Sequence, residues 1–98
     1  MREDFIKDYQ FFIEKWGIES QMLMAVEEMS ELTKELCKFN RYKADKEKSK
    51  EILDNIKEEI ADVLNMAEQL EYYFGEEEIE KIRKQKIERT LKRIKGGK

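Results

Sequence analysis

Histidine and proline are absent from this 98-residue chain, and cysteine occurs once. Without histidine there is no Ser-His-Asp or Cys-His nucleophile, no histidine-bound zinc, and no Glu-x-x-His pair of the kind that holds two irons in a helical bundle. The lone Cys37 excludes an internal disulfide and a thiolate metal site, and its apolar neighbours mark it as a small core residue in a reducing compartment. Long apolar runs are missing too. The opening MREDFIKDYQ has no hydrophobic leader, and no stretch approaches membrane-spanning length, so the expected address is cytoplasmic. What survives these exclusions is hard-cation chemistry on carboxylate oxygens, for which the chain carries 23 Asp and Glu.

The missing proline, the four glycines and the abundant Glu, Lys, Leu and Ile predict an all-α protein. No stretch alternates with period two for long enough to make a strand. The length gives a single domain, residues 1–98, with a loose end at 96–98. Four helices are expected: 3–15, stopped by Gly17; about 19 or 20 to 39 or 40; 50–74, stopped by Gly75; and 76–95. The polar segment RYKADKEKSK, 41–50, reads as the loop between the second and third, with Asp45 or Ser49 as the next N-cap. A chain this short buries a modest share of its surface alone, so helices this long point to further burial against a second copy.

Two carboxylate pairs organise the pattern: Glu28-x-x-Glu31 on the second helix and Glu59-x-x-Asp62 on the third. Residues three apart share a helix face, so each pair presents two carboxylates in one direction. On the third helix Ile52, Ile56, Ile60, Val63, Ala67, Leu70 and Phe74 form the apolar arc. Glu59 falls inside that arc, Asp62 on its flank, and Glu58 well away. On the second helix Met22, Ala25, Val26, Met29, Leu32, Leu36 and Cys37 form the arc, with Glu28 at its border and Glu31 further round. A carboxylate placed where packing expects leucine needs either a basic partner or a cation.

The net charge of −3 hides an asymmetry: residues 81–98 hold nine Lys or Arg and one Glu. On the last helix Lys86, Arg89 and Arg93 line up at i, i+3 and i+7, either as a solvated cationic face or as a phosphate clamp. Trp16, at the end of the first helix, either packs or stacks on a base. Asn65, one turn beyond Asp62, is either a surface residue or a hydrogen-bonding partner for a ligand.

The segments EEMSEL (27–32) and EEIADVLNMAEQL (58–70), followed by a Lys/Arg-rich helix, resemble the MazG-like nucleotide pyrophosphohydrolases of the all-α NTP pyrophosphatase superfamily. That superfamily also holds the dimeric dUTPases and phosphoribosyl-ATP pyrophosphatase. The resemblance covers roughly residues 16–95, and the family's Glu-x-x-Glu, gap, Glu-x-x-Asp motif falls on Glu28, Glu31, Glu59 and Asp62. It implies a four-helix up-down bundle assembled as a homodimer or homotetramer, and Mg²⁺, with Mn²⁺ as a substitute, on those four carboxylates. The implied reaction cleaves an NTP or dNTP to the monophosphate and pyrophosphate, in nucleotide pool clearance. By the same resemblance Lys86, Arg89 and Arg93 are candidates for phosphate contacts, and Trp16 and Asn65 for base or sugar contacts.

The residues themselves give the chemistry a form. A cation on the motif carboxylates neutralises phosphate oxygens while a glutamate not fully used as a ligand, Glu28 or Glu31, takes the proton from the attacking water. Three other readings compete: a phosphoribosyl-ATP pyrophosphatase, a non-catalytic helical interaction module whose basic tail binds nucleic acid, and a nucleotide sensor of the same family that hydrolyses poorly.

Overall fold

The computed structural model describes residues 2–96 and is all-helical, with no strand among them. A short 3-10 turn, Arg2–Phe5, leads into α1 (Ile6–Trp16), followed by α2 (Ile18–Tyr42), α3 (Lys46–Phe74) and α4 (Glu76–Lys95). The expected loose end lies, beyond Gly96, outside the described residues.

Both predicted glycine stops hold, for a backbone reason. Gly17 (φ 86°) and Gly75 (φ 122°) adopt conformations that a Cβ disfavours, and their N–H groups close the preceding helices on Ile13 and Glu71 oxygens at 2.8 and 3.0 Å. The loop expected over 41–50 is far shorter. Helix α2 runs on to Tyr42 and α3 starts at Lys46, so residues 43–45 alone make the connection. Lys, Arg and Glu are good helix formers, and their polarity there reports solvent exposure instead of a chain break. Asp45, not Ser49, is the cap: its side chain accepts from the Lys48 N–H at 3.1 Å.

The tight connection folds α2 and α3 into an antiparallel hairpin. Across its seam Gln21 donates to Gln69 at 2.8 Å, Glu28 meets Asp62, and Asn55 donates to Glu35 at 3.3 Å. On each helix these partners lie seven residues apart and step in opposite directions, giving a polar rung every two turns. Two helices in contact keep a seven-residue repeat on their common face, and polar groups at such positions fix register at some cost in stability. Between and beside the rungs Ala25, Ile52 and Ile56 are buried. Helix α1 lies against both hairpin helices, held by the buried Tyr9, whose hydroxyl donates to Glu68 at 2.8 Å.

The four helices do not close around one core within a single chain. The radius of gyration is 16.9 Å, against roughly 13 Å for a compact domain of this length. Helix α4 buries no residue and has substantial packing only on α3. Large apolar side chains on the predicted arcs, among them Val26, Met29, Ile60 and Phe74, stay exposed. Cys37, expected in the core, is exposed as well, because α1 and α3 leave part of the α2 arc uncovered. No helix among the described residues is long and apolar enough to cross a membrane.

Candidate metal centre and the groove beside it

The middle rung of the hairpin is the acidic one. One oxygen each from Glu28, Glu59 and Asp62 lies within 4.8 Å of the others, close enough for small side-chain rotations to bring all three onto one hard cation. Glu28 comes from α2, Glu59 and Asp62 from successive turns of α3; Glu28 and Glu59 are half-buried and Asp62 is exposed. As the apolar arc predicts, Glu59 points inward, and its Oε2 is buried without a hydrogen-bond partner.

The electrostatics follow from that placement. Burial pushes the Glu28 carboxyl above its ordinary range, and the charge of Asp62, a hydrogen bond with it, and the charges of Glu59 and Glu31 push the same way. Glu59 is raised by burial first, then by Asp62, Glu31, Glu35 and Glu58. Crowded carboxylates in a poorly solvated place hold protons or a cation. The donor set, all oxygen and all acidic, fits Mg²⁺, and the orphaned Glu59 oxygen gives such an ion a ligand with no competing partner.

Glu31 stands apart from this trio. It is exposed, and its carboxylate is 3.8 Å from the Lys34 ammonium. Glu28 already sits at the border of the α2 arc, so the further step to Glu31 carries that residue round from the seam, while its charge still reaches Glu28 and Glu59. The residue on the seam is Glu35, which the motif did not single out. It is buried, 3.5 Å from Lys38 and bonded to Asn55. Its signal in the sequence is the seven-residue step Gln21, Glu28, Glu35, answered by Asn55, Asp62, Gln69.

Beside the acidic rung lies a groove of about 540 Å³ between α1 and the hairpin. It contains Trp16 and Asn65, the two candidates for base or sugar contacts, together with Phe12, Met24, Gln21 and Gln69. Trp16 is half exposed and stacks on Phe12 at 5.7 Å between ring centroids. Met24 is one turn from Glu28, and Asn65 one turn from Asp62, so the groove's lining comes within a helical turn of the carboxylates. Lys86, Arg89 and Arg93 are exposed on α4, which packs on α3, and none of the three is among the charges that act on Glu28 or Glu59 within the chain. Comparisons with protein-family models, with curated proteins and with solved structures find no match.

Proposed function

We propose that this chain is a Mg²⁺-dependent nucleoside triphosphate pyrophosphohydrolase of the MazG-like type, releasing pyrophosphate and a nucleoside monophosphate. The observation that carries this reading is the convergence of Glu28, Glu59 and Asp62 around a buried Glu59 oxygen with no other partner. The aromatic groove one turn away supports it, since a nucleotide needs a cation for its phosphates and a flat apolar slot for its base. The cation supplies charge neutralisation at the phosphates. Glu28, Glu59 and Asp62 hold it, and Glu31, close by but outside the trio, takes the proton of the water that attacks the α-phosphorus. The bond to the β-phosphate oxygen breaks, and pyrophosphate leaves.

The unclosed chain bears on assembly. Its exposed apolar faces are covered in a homodimer or homotetramer, and Lys86, Arg89 and Arg93 meet the phosphates in that assembly. One feature favours a second reading: α4 presents a cationic stripe and buries nothing, as a nucleic-acid-binding arm would.

The test is pyrophosphate release from a panel of NTPs, dNTPs, modified nucleotides and phosphoribosyl-ATP, with Mg²⁺, without it, and in Glu59→Gln. Mg²⁺-dependent release lost in the variant supports the enzyme, and the substrate ranking separates phosphoribosyl-ATP from the NTPs. No release from any nucleotide, together with salt-sensitive, Mg²⁺-indifferent binding to nucleic acid, replaces it with the interaction module.

A further inference from the structure

The groove floor holds a polar pair that neither the motif nor the metal centre uses. Gln21 and Gln69 are 5% and 2% exposed and joined by one hydrogen bond, Gln21 Nε2 to Gln69 Oε1 at 2.8 Å. That bond leaves the Gln21 carbonyl oxygen and the Gln69 amino group as an adjacent acceptor and donor in the lining of the groove. Neither of these atoms is shut off from solvent without a partner, so both can be met by an occupant of the groove they line.

We infer that the Gln21–Gln69 pair reads the hydrogen-bonding edge of a nucleobase seated in this groove. The inference rests on the pyrophosphohydrolase reading for the rest of the ligand. The pair is one rung from the acidic layer, about 10 Å along the hairpin, a separation of the order that divides the phosphate of a nucleotide from the far edge of its base. Trp16 and Phe12 form an aromatic wall for the ring. Turning both amides over together keeps their mutual bond and exchanges donor for acceptor. Amino and keto edges are therefore both accepted, and the ligand class is any base with a donor and an acceptor side by side.

Trp16 is the chain's one tryptophan, so its fluorescence reports on the groove directly. The experiment titrates the protein with Mg²⁺ and AMP, GMP, ribose 5-phosphate, or the monophosphate of benzimidazole riboside, whose base stacks but lacks that edge. AMP and GMP are expected to quench saturably, and the benzimidazole analogue to bind at least about tenfold more weakly. In a Gln21→Met/Gln69→Met double variant, which leaves neither amide unpaired, the preference for AMP and GMP over the analogue is expected to vanish, with ribose 5-phosphate binding as before. Equal affinity of wild-type protein for AMP and the analogue overturns the inference even if the double variant fails to fold. So does a protein that releases pyrophosphate from NTPs while no nucleotide perturbs Trp16. Edge-dependent quenching without pyrophosphate release from any triphosphate leaves the base site standing and removes the enzyme.

Discussion

The α2–α3 hairpin and helix α4 are made from nearly the same residue types and end in opposite conditions. The hairpin places its polar residues on the seam at seven-residue intervals, and each rung finds its counterpart inside the chain. Helix α4 has Ile87, Leu91 and Ile94 on one face and Lys86, Arg89 and Arg93 beside it, and buries none of them. A polar side chain on a seam must be answered locally, so the hairpin carries its chemistry within one chain. A helix whose apolar and cationic faces are both open awaits something else, and the proposed function assigns that part to a second copy and to phosphate.

Substitutions on the two regions should separate them. The largest effect is expected from Glu59→Gln, which removes the buried ligand charge: Mg²⁺-dependent pyrophosphate release falls by at least ~100-fold, while circular dichroism shows the helices intact. Next comes a dependence on pH. Glu28 and Glu59 hold their protons more tightly folded than unfolded. What these two groups contribute to metal-free stability is therefore fully present below the ordinary carboxylate pKa and is lost as pH rises from there through their raised values. Mg²⁺ should accordingly raise the melting temperature more at about pH 8 than at about pH 5. A melting shift of equal size at both would mean that these carboxyls are not what the ion meets.

Smaller effects probe the frame. Gly75→Ala forces a Cβ onto a φ of 122° and should destabilise the chain by about 1–2 kcal/mol in a urea titration. Asp45→Ala removes the α3 cap and should cost about 1 kcal/mol by the same method. Replacing Lys86, Arg89 and Arg93 together by Gln should change stability by no more than about 0.5 kcal/mol, because exposed charges contribute little. The same variant should raise KM for a triphosphate. A large loss of stability there would show that α4 is packed in solution through its cationic stripe.

These contrasts bear on how much the residues alone disclosed. Gly17 and Gly75 were legible as stops because only glycine enters those backbone conformations cheaply. Glu59 is legible because a glutamate inside an isoleucine-rich arc has no packing explanation, with Asp62 on the flank of that arc and Glu28 at the border of the arc on α2. The segment 41–50 is a loop only at 43–45, because elsewhere its low apolarity marks helix surface instead of a chain break. The exposure of Cys37 is not legible, because an apolar arc gives no measure of how much of it a neighbouring helix covers. Gln21, Glu35, Asn55 and Gln69 fall outside a three-residue motif spacing, because the hairpin repeats every seven. The groove depends on where α1 lies across the hairpin, through Tyr9 and Glu68, which no local pattern in the chain specifies.

The most direct test of the acidic rung as a cation site is a titration of Mn²⁺ followed by electron paramagnetic resonance, with Mg²⁺ as competitor, on the wild-type chain and on Glu59→Gln. Saturable binding displaced by Mg²⁺ and lost in the variant is the result expected from Glu28, Glu59 and Asp62 acting together. Binding that is absent in the wild type, or unchanged by Glu59→Gln, would contradict it.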